Sequence, residues 1–193
     1  MTPKALPFDV FGTCVDWRTS VAREAAALGL PGEQVADAWR ARYQPQLETV
    51  RSDELTLAWH RLDPWPDTVP GLTRLKERFV IAPCSNGHIA QSVSLACHAG
   101  LPWDAILGAE IAHAYKPDPR VYEASVAALG REPAEVMMVA AHNEDLHAAA
   151  ACGLRTAFVA RPREHGPGQE SDLHAAERVD VEAGDFLGLA DAL

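Results

Sequence analysis

Asp9 lies in an apolar run, Leu6-Pro7-Phe8-Asp9-Val10-Phe11, and Thr13 follows it closely. A carboxylate between Phe8 and Val10 is costly to bury unless a cation or a hydrogen-bond donor neutralises it. Other segments carry residue types that could do so: Ser85-Asn86-Gly87, Tyr115-Lys116-Pro117-Asp118, and Ala140-Ala141-His142-Asn143-Glu144-Asp145. A carboxylate, a small hydroxyl, a lysine and a second acid are residue types that can do chemistry together if they meet. Singly, each residue has a plainer explanation: a loop-capping aspartate, a solvated lysine, a helix N-cap. Joint placement favours a site, because each group ends or follows a successive apolar run.

Those runs read as strands: Leu6 to Phe11, Phe79 to Cys84, a weak Ala105 to Leu107, Val136 to Ala141, and Thr156 to Ala160. Short apolar runs of this kind suit strands buried on both faces of a parallel sheet. Helical stripes alternate with them. Leu72, Leu75 and Phe79 form one; Ile89, Val93, Ala96 and Cys97 form another, closed by Gly100. Val121, Ser125, Val126 and Leu129 follow Pro119 and stop at Gly130, and Leu146, Ala149 and Ala150 stop at Gly153. The expectation is an α/β fold, a Rossmann-like doubly wound parallel sheet, with the chemistry at the carboxyl ends of the strands. Residues 16–65 break the alternation and read as an inserted helical cap, leaving 1–15 and 66–193 as the core. Arg163 to Ser171 reads as an exposed polar loop.

Composition narrows the function classes. The 193 residues include 17 Lys and Arg against 27 Asp and Glu, a net charge of -10, with no basic stretch. That argues against nucleic acid or an anionic membrane as a partner, while a local cationic cluster can still hold a small anion. No apolar run approaches the ~20 residues of a membrane span, and the first residues do not read as a secretion signal. A cytoplasmic protein is expected. Cys14, Cys84, Cys97 and Cys152 are scattered and read as reduced thiols.

The set Asp9-x-x-Gly12-Thr13, Ser85-Asn86-Gly87, Tyr115-Lys116-Pro117-Asp118 and a final Asp145 before a helix resembles the four motifs of the haloacid dehalogenase superfamily. More closely, FDVFGT, Trp39-Arg40, the Trp65-Pro66-Asp67 turn, SNG, YKPDPRVY and VAAHN look like the type II L-2-haloacid dehalogenases. The resemblance implies a HAD-like core and roles for its residues. Asp9 is the nucleophile and Thr13 orients it. Ser85 and Asn86 hold the substrate carboxylate. Lys116 neutralises charge, and Asp145 balances Lys116 and assists ester hydrolysis. Phe11, Tyr122, His142 and Asn143 line the substrate site. Arg51 accepts the halide, with Arg40 and Arg42 as alternatives. A short 2-haloacid is the implied substrate, without cofactor or metal, in a possible homodimer.

Two chemistries of the superfamily are separable here. Its phosphatases need an acid two residues after the nucleophile to protonate an alkoxide leaving group, and that position is Phe11. Their Mg²⁺ also needs an acid where this chain has Ala141. A halide leaves as a stable anion and needs no proton, so metal-free displacement at carbon fits, with a phosphatase or an inactive relative as alternatives. Ala140 and His142 stand where the type II enzymes usually carry Ser and Asn. His142 is read either as a replacement donor to the site or as a structural histidine. The insert is shorter than the resemblance implies, the shortfall lying between Arg51-Ser52 and Asp53-Glu54.

Overall fold

The computed structural model describes residues 2–46, 57–176 and 179–193. In chain order the strands are β1 (Ala5–Phe8), β2 (Val15–Asp16), β3 (Asp63–Pro64), β4 (Val80–Ser85), β5 (Leu107–Gly108), β6 (Met137–Ala140), β7 (Arg155–Val159) and β8 (Val181–Ala183). Six of them form one sheet in the order β5-β4-β1-β6-β7-β8, with every neighbouring pair parallel. β1 is central. The chain builds outward to β4 and β5 on one side and to β6, β7 and β8 on the other, so the order reverses beside β1. In such sheets that crevice, at the carboxyl ends, is where ligands bind.

Alternation along the strands explains the two packed faces. Leu6, Phe8, Met137 and Val139 point to one side, against Leu72 and Leu75 of the Thr68–Lys76 helix, Leu95 of the Ile89–Ala99 helix, and Phe186 and Leu189 of the Phe186–Ala192 helix. Ala5, Met138, Ala140 and Phe158 point to the other, against Val121, Tyr122 and Val126 of the Pro119–Ala128 helix and Leu146 and Ala149 of the Asn143–Ala151 helix. Strands covered on both faces have no solvated side to mark with polar residues, hence their near-continuous apolar character. The helix Pro119–Ala128 begins where Asp118 caps the Arg120 amide and Pro119 presets the first turn.

The insert is helical over Trp17–Ala27 and Gly32–Gln46. Its two ends are tied by the antiparallel pair β2–β3, which the sequence does not signal because each strand is only two residues long. Trp65 reinforces the tie, donating its backbone N–H to the Cys14 carbonyl and its indole Nε1–H to the Gly12 carbonyl at 2.8 Å. The junction Ser52-Asp53, and with it the expected shortfall, lies outside the described residues. Among those described, no helix is long and apolar enough to cross a membrane.

Three expectations are corrected. The sheet gains β8, whose sequence Val181-Glu182-Ala183 is too short and too exposed to read as a strand. The Ile89–Ala99 helix buries Ser92, Leu95 and Ala99, leaving Ile89 38% and Val93 45% exposed. Apolar identity suggested one stripe, but the face turned to the sheet is the neighbouring one. The Arg163 to Ser171 segment is not uniformly exposed: Glu164 is buried, as is Arg161 just before it.

Helix-to-helix packing sets a sharp limit at Gly71. A Cβ built there would lie 2.4 Å from Phe186 Cβ and 2.8 Å from its carbonyl carbon. Gly71→Ala therefore forces the Phe186–Ala192 helix away. The expected loss is about 1–3 kcal/mol of unfolding free energy by urea titration, the usual range for overpacking. An unchanged midpoint would show that the two helices adjust without strain.

Candidate active site

Asp9 follows the last residue of β1 and is 7% exposed. Both of its oxygens are engaged. Lys116 Nζ donates to Oδ1 at 2.8 Å; Thr13 Oγ1 donates to Oδ2 at 2.7 Å; His142 Nδ1 lies 3.0 Å from Oδ2. Thr13 has little choice of role, since its hydroxyl accepts the Ala141 amide at 2.9 Å and so turns its own proton to Asp9. Burial pushes the Asp9 carboxyl up, but the Lys116 charge, with His142 bonded to it, outweighs burial and holds it far below the ordinary carboxylate range.

Lys116 is shared. Its ammonium also reaches Asp145 Oδ2 at 2.5 Å, and the Tyr122 hydroxyl donates to Asp145 Oδ1 at 2.5 Å. Burial lowers the lysine pKa, and the charges of Asp145 and Asp9 more than reverse that. Burial raises Asp145, with Lys116 opposing it. Asp145 sits in the first turn of the Asn143–Ala151 helix, with His142 rather than Asp145 at the N-cap.

His142 is the second cation of the site. Its Nε2 faces Glu164, 3.1 Å from Oε1 and 2.9 Å from Oε2. Glu164 is only 1% exposed and also accepts the Trp17 indole N–H at 3.0 Å. Burial alone would strip the proton from His142; the Glu164 charge and the bonds to both carboxylates hold it, raising its pKa well above the usual value. Burial raises Glu164 too, but His142 brings it below its ordinary value. The arrangement is a chain of alternating charge, Asp9–His142–Glu164, beside the pair Lys116–Asp145. Both ring nitrogens of His142 thus face carboxylates.

The predicted residues divide in two. Asp9, Thr13, Lys116, Asp145 and His142 converge. Phe11 joins them at the rim, its ring edge-to-face with Trp59 at 5.2 Å and close against Gly87. Ser85 is buried, its Oγ accepting the Gly87 amide at 3.2 Å, which leaves its hydroxyl proton as a donor. The others are bonded within the protein. Asn86 clasps the Lys116 backbone, accepting its N–H at 2.6 Å and donating to its carbonyl at 3.3 Å, so it aims the lysine. The Tyr122 hydroxyl is committed to Asp145. The Asn143 side chain donates to Asp172 and the His174 carbonyl and accepts the Ala176 amide, holding a distant loop. Arg51 lies outside the described residues, and of the side chains of Arg40 and Arg42 nothing is described.

Sequence reasoning missed Glu164 and Arg161. The strand-end rule was available, because both follow β7, but the segment's polar composition was read as solvated. Gly12 shows how closely Glu164 fits: at φ 92°, a Cβ there would fall 2.1 Å from Glu164 Oε1. Among the described residues there is no cluster of His, Cys, Asp or Glu arranged to hold a metal ion, and Lys116 supplies the positive charge between Asp9 and Asp145.

With this geometry in place the comparisons are specific. The haloacid dehalogenase-like hydrolase family matches residues 3–153, and the chain belongs to that family. Within it, the solved structure of the L-2-haloacid dehalogenase PA0810 is similar at 40% identity and a TM-score of 0.93, covering 98% of each chain. The defluorinating L-2-haloacid dehalogenase Rha0230 is similar at 41% identity and a TM-score of 0.93, covering 99% of this chain and 95% of its own. Among curated proteins, (S)-2-haloacid dehalogenase 4A of Burkholderia cepacia is 27% identical over 82% of this chain and 83% of its own length.

The charge chain sets a pH signature. A histidine raised in the folded state stabilises the protein fully below its unfolded pKa, about 6.5, and loses that contribution as pH rises through the folded value. The gap in unfolding free energy between wild type and His142→Asn should therefore be largest below about pH 6.5 and shrink at alkaline pH. A gap constant with pH would mean that His142 is neutral in the folded protein.

Proposed function

We propose that the protein hydrolyses short 2-haloacids to 2-hydroxy acids through an ester on Asp9. The observation that carries this reading is the state of Asp9: a buried carboxylate kept ionised by Lys116 and His142, with Phe11 and Ala141 where a phosphatase would carry acids. Asp9 attacks the carbon bearing the halogen from the side opposite it. The carbon–halogen bond breaks with its electron pair on the halide, and an L-2-haloacid gives D-configured ester. On the resemblance, the halide leaves toward Arg51, and Ser85 receives the substrate carboxylate.

Ester formation changes the electrostatics of His142. It removes the Asp9 charge, one of the two anions that hold the imidazole proton, while Glu164 remains on Nε2. Nδ1 releases its proton to solvent and faces the new ester as a base, in the tautomer fixed by Glu164. Water attacking the Asp9 carbonyl carbon gives one proton to Nδ1. As the intermediate collapses, its remaining proton goes to the departing alkoxide oxygen. The products are hydroxy acid, halide and one proton, with Asp9 ionised again. Lys116 stabilises the developing oxyanion, an effect commonly of about 3–4 kcal/mol.

The test is halide release from chloro-, bromo- and fluoroacetate and from both enantiomers of 2-chloropropionate, with and without EDTA. Fluoroacetate belongs in the panel because one similar protein is described as defluorinating. Release should favour the L enantiomer and survive the chelator. A single turnover in heavy-oxygen water should label Asp9 and leave the product mostly unlabelled. Asp9→Asn should abolish turnover, and His142→Ala should slow ester breakdown by about 10²–10⁴-fold, the usual share of a general base, so that ester accumulates by mass spectrometry. Label entering the product directly would make water the attacking group. Activity lost with EDTA and restored by Mg²⁺ on a phosphate ester would install the phosphatase instead.

A further inference from the structure

Arg161 belongs to none of the groups above, yet it is a buried guanidinium, 5% exposed, with its donors directed to two other chain segments. Nη1 and Nη2 form a fork to the two oxygens of Asp67, each at 2.8 Å. Nε donates to the Thr13 carbonyl at 2.8 Å. The guanidinium carbon lies over the Phe186 ring, 4.8 Å from its centroid, and over the Trp65 ring at 5.6 Å. Asp67 Oδ2 accepts the Phe186 amide as well, so the pair is locked from both ends. The Glu164 amide in turn donates to the Arg161 carbonyl at 3.1 Å, which makes Arg161 the first residue of the turn that presents Glu164.

We infer that Arg161 is a positioning residue for both steps of the reaction, fixing Thr13 against Asp9 on one side and Glu164 against His142 on the other. The inference takes the reaction from the dehalogenase reading and the placement from geometry. A buried ion pair gives little net stability over an apolar replacement of the same volume. What this one supplies is distance and direction: a planar fork with a third donor in a different direction, by which the loop after β7 clasps the loop after Asp9 and the Trp65-Pro66-Asp67 turn. Lysine, a single ammonium on a flexible stem, cannot make the three contacts together. The Trp65-Pro66-Asp67 turn, conspicuous in the sequence, thereby gains a purpose as the other jaw of this clasp.

The experiment compares wild type with Arg161→Lys and Asp67→Asn, and with Arg74→Ala as a control. Arg74 pairs with Asp191 on the surface between two of the same helices and touches nothing in the site. Two quantities are read: kcat and KM for chloride release from L-2-chloropropionate, and the titration of the His142 ring by nitrogen-15 NMR without substrate. Arg161→Lys should lower kcat by about 100-fold with KM within about threefold, as expected for misplaced groups that do not bind substrate. The His142 titration should move down as Glu164 loosens. Asp67→Asn should shift both in the same direction, and Arg74→Ala should shift neither. If Arg161→Lys does not fold, Asp67→Asn decides. Wild-type kcat and an unmoved His142 titration in the folded variants would overturn the inference, as would a change confined to KM. If wild type releases no halide from any haloacid, the dehalogenase reading falls, while the imidazole titration still decides the placement.

Discussion

The structure turns on placing a full negative charge where water is scarce. An ionised Asp9 at the end of a buried strand is tolerable only because two cations reach it from separate segments, Lys116 from the loop before the Pro119–Ala128 helix and His142 from just past the end of β6. Each cation then needs its own balance, which Asp145 and Glu164 provide. The arrangement is a small ionic lattice in a protein interior, and charges that deep persist only when paired and hydrogen-bonded. Removing any one member leaves its neighbours with less of the charge that balances them. For that reason the supporting bonds, Thr13 to the Ala141 amide, Asn86 to the Lys116 backbone and Tyr122 to Asp145, carry as much of the design as the charges do.

Much of the fold and of the surroundings of Asp9 was legible in the sequence, for a physical reason. Strands covered on both faces are short apolar runs, and the rule that ligands gather at their carboxyl ends selects the polar residue that follows each run. Asp9, Thr13, Lys116 and Asp145 were found in this way. What escaped depends on pairing across space. Glu164 looks like any glutamate in a Gly- and Pro-containing loop; its burial follows from His142 and Trp17, which no local pattern reveals. Asn86, Tyr122 and Asn143 were legible as residues but not as partners, because an amide or hydroxyl near a site serves equally well to bind substrate or to hold another side chain. Ile89 and Val93 show the same limit for helices: apolar identity suggests a stripe, but the sheet decides which face is covered.

The aromatic side chains divide the labour of the insert. Trp17 stacks on Trp59 with planes 13° apart, and Trp59 meets Phe11 edge-on. These rings form an apolar wall beside the charges, where a carbon–halogen bond has little to gain from water. Trp17 also joins the wall to the charge chain through its indole bond to Glu164. Polarity and desolvation in the site are thus set by the same residue at the start of the insert.

The chain leaves for the insert and returns through the two short strands β2 and β3, stitched to each other and to the loop after Asp9 by Trp65 and Thr68. Such a neck makes the insert modular. Because the two ends of the insert are pinned to each other and to the carbonyls of Gly12 and Cys14, the neck itself sets the path of the chain just after Asp9.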